Sequence, residues 1–173
     1  MTAGRIQRAS LAVLALGALL ARPASAGAQR ADAPVTLAVE GGFLQTDGDR
    51  TSAINTGLVL GLRFTDQLSI TGMGTYAASR AGPISTLGFG LSALLDSTPL
   101  APFFDLQAVL LGPQDAAGYS LAMRLGLGAD WKVAPAFAGG LVVRTLTPLD
   151  SLSATRVAGT EIALRVVFTP GGK

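Results

Sequence analysis

The chain has 173 residues with no cysteine, no histidine, 22 glycines, and 13 basic against 11 acidic residues. That length suits one domain; the missing cysteines exclude disulfide staples and thiolate metal sites, and the missing histidines remove the usual general base and the imidazole ligands of a catalytic metal. A formal charge of only +2 leaves no basic footprint for nucleic acid.

Residues 1–28 read as a signal peptide. Arg5 and Arg8 form a basic start, residues 11–21 (LAVLALGALLA) an apolar run, and Ala24-Ser25-Ala26 or Ala26-Gly27-Ala28 a small-residue cleavage site. The run is too short for a spanning helix, which needs roughly 20 apolar residues. An exported protein is therefore expected, cleaved after Ala26 or Ala28, with a short segment 29–34 ahead of the main domain. Cleavage removes Arg5, Arg8 and Arg22 and no acid, leaving ten bases against eleven acids. The positive mean hydropathy of +0.48 would suit membrane helices. However, Asp66, Arg80, Asp96, Asp105, Asp115, Arg124 and Asp130 interrupt every apolar stretch of the remaining chain before it reaches spanning length.

From residue 35 onward the pattern has period two, and eight strands are predicted at 35–45, 54–64, 68–78, 85–95, 103–112, 119–131, 137–147 and 157–168. In the second, Ile54, Thr56, Leu58, Leu60, Leu62 and Phe64 alternate with Asn55, Gly57, Val59, Gly61 and Arg63. In the sixth, Tyr119, Leu121, Met123, Leu125, Leu127, Ala129 and Trp131 oppose Ser120, Ala122, Arg124, Gly126, Gly128 and Asp130. Successive strand side chains face opposite ways. One face is thus greasy, and the other holds small residues and the charges. Each run is about the 9–11 residues of a tilted membrane strand. The connections 65–67, 96–102 and 132–136 are expected to face the periplasm. Those at 46–53, 79–84, 113–118 and 148–156 would form short outer loops. Proline-bearing stretches are read as turns because proline cannot serve a central ladder.

Phe64, Phe104, Trp131, Phe137 and Phe168 fall at one end and on the apolar face, the pattern of an aromatic girdle. Phe43, Tyr76 and Tyr119 would mark the opposite rim. The fold class expected is all-β, an eight-stranded antiparallel up-and-down transmembrane β-barrel over 35–168 with a tail at 169–173. The chain resembles the small eight-stranded outer-membrane barrels of the OmpA/OmpX type. The resemblance rests on strand count, alternation, loop asymmetry and the last strand, where Ile162, Leu164, Val166 and Phe168 match the alternate apolar positions ending in an aromatic. It implies residence in the bacterial outer membrane, contact with outer-membrane lipids, and recognition by the outer-membrane assembly machinery through the last strand. The tail 169–173 departs from the family pattern, in which the aromatic is normally the last residue.

Strand parity places Glu40, Arg63, Asp105, Arg124, Asp130, Arg144, Glu161 and Arg165 inside, four bases with four acids. The interior of an eight-stranded barrel is just wide enough for side chains to fill it, so these groups are expected to pair as a lumen charge network. Counting from the aromatic rim, Arg124, Arg144 and Glu161 each lie seven residues up their strands, with Glu40 near that height. Arg144 with Glu161 is the direct pair expected, and Arg63, Asp105, Asp130 and Arg165 the layer nearer the periplasmic mouth. Gly57, Gly61, Gly88, Gly90, Gly126, Gly128, Gly140 and Gly159 share the inward face, where a tightly curved barrel has little room.

No catalytic, cofactor-binding or metal site is expected. Gly88-Phe-Gly90 and Gly126-Leu-Gly128 lack the third glycine and following helix of a nucleotide loop, and Gly90-Leu-Ser92-Ala-Leu94 ends in leucine and fails as a nucleophile elbow. Lys132 and Lys173 lie in a turn and the tail, away from any serine base pair. Asp47 and Asp49 offer few oxygen ligands for Ca²⁺. The function expected is a non-enzymatic structural or interaction barrel with a plugged lumen; a narrow conduit for small or hydrophobic solutes is the alternative. A soluble lipocalin-like binder would place its apolar residues inside.

Overall fold

The computed structural model describes residues 35–46, 52–79, 82–95, 99–112, 119–149 and 158–170. Within them eight strands follow one another: β1 (Val35–Thr46), β2 (Ser52–Arg63), β3 (Leu68–Ser79), β4 (Gly82–Leu94), β5 (Leu100–Leu111), β6 (Ser120–Ala134), β7 (Phe137–Pro148) and β8 (Gly159–Phe168). The expected signal peptide with its cleavage site, the segment 29–34, Asp47 and Asp49, and residues 171–173 of the tail lie outside the described residues.

Each strand pairs antiparallel with its neighbours in chain order, and β1 pairs with β8 from Leu37↔Phe168 to Thr46↔Gly159, so the sheet closes into a barrel. Closure abolishes the sheet edges, whose unpaired amides and carbonyls would each cost several kcal/mol in hydrocarbon. Register partners lead from Thr36 through Gly61, Thr71, Gly90, Gln107, Arg124, Leu146 and Gly159 back to β1 at Thr46, ten residues further along. That offset over eight strands corresponds to a strand tilt of roughly 40°, at a rise of about 3.3 Å per residue and a strand spacing of about 4.8 Å.

β1 to β7 are longer than the alternation predicts, the excess lying in stretches read as turns, whereas β8 starts two residues later than expected. β5 begins at Leu100, with Pro102 opposite Ala129, and β4 begins at Gly82, with Pro83 opposite Ala78. Both prolines sit at ladder ends, where the missing amide hydrogen is tolerated; the Pro102 carbonyl still accepts a hydrogen bond from the Leu95 amide at 2.8 Å. Gly82 has φ 124°, a conformation open to glycine, which lets β4 start straight out of its hairpin. β6 runs on to Ala134 through a register shift between Lys132 and Ala134, a bulge at the barrel rim. At the β2–β3 connection, Thr65 Oγ1 accepts from the amides of Gln67 at 3.3 Å and Leu68 at 2.9 Å, closing a tight turn.

Alternation sorts the wall into two faces. Phe89 is 71% exposed, Leu164 69% and Leu127 62%, and large apolar residues stand outward on every strand. A water-soluble protein does not expose apolar surface continuously around its girth; a wall facing lipid does. The inward face is less polar than the sequence reading assumed. Ala38, Val59, Met73, Val109, Leu111, Ala122, Leu146 and Val167 form one buried apolar cluster. Leu44, Ala53, Ala77 and Ile84 form a second, and Phe103, Val142 and Ala163 a third.

The polarity of the wall has a measurable consequence. Leu127→Arg, in the middle of β6 on the outer face, is expected to destabilise the reconstituted protein by about 2–4 kcal/mol, as for a charge at the bilayer midplane. Most surface substitutions in soluble proteins stay within about 0.5 kcal/mol. Denaturant unfolding from lipid vesicles measures the difference.

Candidate functional site in the barrel lumen

The inward charges cluster on one side of the barrel. Glu40 comes from β1, Asp105 from β5, Arg124 and Asp130 from β6, Arg144 from β7, and Glu161 and Arg165 from β8. Register arranges six of them in two rows of the same order. On adjacent strands β5 to β8, Asp105 stands beside Gly126, Gly126 beside Arg144, and Arg144 beside Glu161. One strand further round, Asp130 stands beside Gly140, Gly140 beside Arg165, and Arg165 beside Glu40. Each row reads Asp, Gly, Arg, Glu. The glycine lets an arginine reach a carboxylate two strands away. A Cβ on Gly126 would stand 2.8 Å from Arg144 Cγ and 3.3 Å from Asp105 Cβ, and one on Gly140 would run into Asp130 Oδ1 and stand 3.1 Å from Arg165 Cγ.

Arg144 is the hub, and only 1% of it is exposed. Its Nη1 donates to Glu40 Oε2 at 2.6 Å and Glu161 Oε1 at 3.2 Å. Its Nη2 donates to Glu40 Oε1 at 2.7 Å and Asp105 Oδ2 at 3.2 Å, and its Nε to Asp105 Oδ2 at 3.3 Å. A guanidinium has five N–H donors, and all five are used. The fork to Glu40 is bidentate, the strong geometry for this pair, and it ties the two rows together.

Arg124 carries the network further from the mouth. It pairs with Glu161 and touches the Met73 sulfur, and its Nη1 donates to Gln107 Oε1 at 3.4 Å. Gln107 Nε2 in turn donates to Thr71 Oγ1 at 3.3 Å. On the mouth side Arg165 lies 3.8 Å from Glu40 and 3.4 Å from Asp130 Oδ1, with its guanidinium carbon 4.4 Å from the centre of the Phe103 ring. The Asp130 contact is Coulombic without hydrogen-bond geometry, since neither Asp130 Oδ1 nor Arg165 Nε has a hydrogen-bond partner. The cation lies within reach of the ring quadrupole. Gly128 makes space for that ring, since a Cβ there would stand 2.6 Å from Phe103 Cε1.

The two-layer arrangement read from the sequence needs correction. Asp105, assigned to the layer near the mouth, lines the mouth cavity with Arg63, Asp130 and Arg165, yet its carboxylate bonds Arg144, so the two layers are joined through it. Glu161 has a partner in Arg124 as well as in Arg144. Arg63 is half-buried and lines a cavity of about 50 Å³ at the mouth with Asp66, Asp105, Asp130 and Arg165, and makes no ion pair among the described residues. The physical reason is the tilt. Heights counted up separate strands drift apart when neighbours are staggered, so rims do not define layers. Gln107, Thr71, Met73 and Phe103 escaped a reading confined to charges, although Gln107 shares the parity of Asp105 and was open to the same argument.

Beside Arg124, Arg144 and Glu161 the lumen keeps a cavity of about 20 Å³, room for about one water molecule. Among the described residues no group of three or more carboxylates is placed to hold a metal ion. Phe64, Trp131, Phe137 and Phe168 stand exposed at the rim carrying the β2–β3 turn, with Phe104 half-buried there. Phe137 and Phe168 are cross-strand partners with ring centres 5.0 Å apart.

A closed, tilted, eight-stranded barrel with an apolar outer wall and a lumen packed with paired charge defines a transmembrane β-barrel of the small outer-membrane type. The chain is similar in fold to Neisserial surface protein A, with TM-score 0.59 and 12% identity, covering 78% of this chain and 94% of that one. It is equally similar to the N-terminal β-barrel domain of Pseudomonas aeruginosa OprF, with TM-score 0.60 and 12% identity over 78% and 96%. A de novo designed transmembrane β-barrel matches with TM-score 0.52 and 15% identity over 78% and 94%. At such identities the likeness is one of fold. No protein-family model matches the chain, and no curated protein sequence does.

Removing the hub tests its weight. Arg144→Met leaves Glu40 and Asp105 buried without their main cation and is expected to cost about 3–5 kcal/mol, the usual penalty for breaking one side of a buried pair. Adding Glu40→Gln to it should recover part of that loss, because one orphaned charge is then gone. Equilibrium unfolding of both variants in lipid reads the two numbers.

Proposed function

We propose that the protein resides in the bacterial outer membrane as a non-enzymatic barrel, its lumen sealed by its own charges, with a structural or interaction role at the cell envelope. The observation that carries this reading is the saturation of Arg144 by three carboxylates, next to lumen cavities of only about 50 and 20 Å³. A solute crossing the lumen would have to displace a guanidinium from five hydrogen bonds in a space with little water to replace them, and each charge left behind would be costly. A narrow conduit therefore requires the network to come apart first.

The non-enzymatic part of the reading rests on the same chemistry. A general base needs a lone pair within hydrogen-bond reach of a substrate, and Glu40, Asp105 and Glu161 are committed to arginines. The chain has no histidine to take that role.

Single-channel recording in planar bilayers tests the seal. The mature protein is expected to give no stable conductance steps, and the Arg124→Ser/Arg144→Ser variant to raise conductance if it inserts. Well-defined, large openings from the unaltered protein would reject the sealed lumen and favour the conduit. Fractionation tests location separately: the mature chain should sediment with outer membranes and show a heat-modifiable gel shift.

A further inference from the structure

Among the described residues the outer wall holds a depression lined mostly by apolar atoms. It is a groove of about 730 Å³ across β2 to β5 and the start of β6, at the end opposite the aromatic girdle. Two neighbouring rungs of the sheet make it. In one, Thr56 stands beside Tyr76 and Tyr76 beside Ser85; in the next, Gly74 stands beside Leu87 and Leu87 beside Leu110. Gly74 leaves the space, with Ser85 lying against Gly112 at its edge, while Leu87 and the rings of Tyr76 and Tyr119 stand around it, 67%, 54% and 75% exposed. The groove is therefore mostly apolar with a few polar tips, and its volume lies within the roughly 300–1,000 Å³ of small-ligand sites. These are also the only two tyrosines in the chain.

We infer that this groove holds one acyl chain of a bilayer phospholipid, with the Tyr76 and Tyr119 hydroxyls directed to its ester and head-group oxygens. The inference rests on the membrane-spanning reading and names a specific partner for one part of the wall. Three observations support it. The groove is continuous with the lipid-facing apolar belt, so hydrocarbon is the medium that reaches it. Its small floor residues offer a chain a concave seat between the projecting side chains of Leu87, Tyr76 and Tyr119. Tyrosine joins an apolar ring to a hydroxyl that seeks water or an ester, which suits it to the membrane interface. The inward residues behind the groove are small as well, Gly57, Thr75 and Thr86, so the wall is thin there on both faces.

The test uses the mature barrel in phosphatidylglycerol vesicles doped with a phospholipid carrying a diazirine on one acyl chain. Crosslinked peptides are mapped by mass spectrometry. Labelling of the segments around Gly74 and Leu87 is expected to exceed that of the outward β8 residues Ile162, Leu164 and Val166 several-fold. Gly74→Leu fills the seat and faces outward, where an added Cβ meets only Leu87 Cδ2 at 3.5 Å. It should bring labelling down to the β8 level while keeping the heat-modifiable shift. Tyr76→Phe with Tyr119→Phe should reduce the preference for the phospholipid probe over a diazirine fatty acid. Even labelling around the belt, or an excess that survives Gly74→Leu, overturns the inference and leaves the barrel reading standing. Equal labelling by the free fatty acid in the unaltered protein overturns the phospholipid assignment. Absence of both labelling and gel shift overturns the membrane reading itself.

Discussion

A guanidinium buried among side chains in a narrow lumen is the constraint around which this protein is built. Arg144 needs a partner for each of five donors, and in a barrel of eight strands those partners can only come from the facing and neighbouring walls. Glu161 is the neighbour across the rung. Asp105 lies two strands away and is reached only because Gly126 has no side chain. Glu40 belongs to the next row and is reached because that row is shifted by one strand. The Asp, Gly, Arg, Glu order is thus a solution to reach: the glycine supplies the gap, the arginine its length, and the two acids its termination on either side.

The same rows hold the barrel in register. A strand slipped by one residue turns its lumen charges into the lipid, and one slipped by two residues takes its aspartate, arginine or glutamate off the rung of its partners, even where, as for β6, Gly128 could replace Gly126. Apolar alternation alone penalises the first error and tolerates the second, because the outer face repeats every two residues with little change of character. The charge rows penalise both. They lie on β5 to β8 and on β1, the strands that complete closure, where a register error would propagate to the seam between β8 and β1. β3 and β4 carry no lumen charge among their described residues and are lined instead by residues such as Thr71, Met73, Thr75, Gly88 and Gly90. Their wall provides the room into which Arg124 and Gln107 extend.

What was legible in the sequence follows from which facts are local. Facing is local: parity along one strand tells inside from outside, and Glu40, Asp105, Arg124, Arg144 and Glu161 all point inward and are buried. Strand number and order are nearly local, since turn residues punctuate them. Stagger is not local. Nothing within β5 says that Asp105 stands on the rung of Arg144, because that depends on the stagger of the β5–β6 and β6–β7 pairs, and so the bond to Arg144 from an aspartate that also lines the mouth cavity was not foreseen. Strand ends were misread for a different reason. Proline was treated as excluded from ladders, whereas Pro83 and Pro102 occupy ladder ends where no amide is required. Gln107 was passed over because it is neutral, although a buried amide also needs hydrogen-bond partners.

The division between the two faces bears on where activity can reside. On the sealed-lumen reading proposed above, the guanidinium of Arg144 and its three carboxylates leave little surface to a solute. Recognition by a barrel sealed in this way would use its rims or its outer wall. The outer wall is chemically uniform over most of its girth, because a row of leucines presents the same face to every lipid. Specificity for a lipid then requires a break in that uniformity: a concavity shaped by small residues, and polar tips at the depth of the head groups. On the inference drawn above, Gly74 and Ser85 beside Tyr76 and Tyr119 make such a break. The lumen residues directly behind it, Gly57, Thr75 and Thr86, are uncharged, so an outward side chain such as that at position 74 can be altered without touching the partners of Arg144.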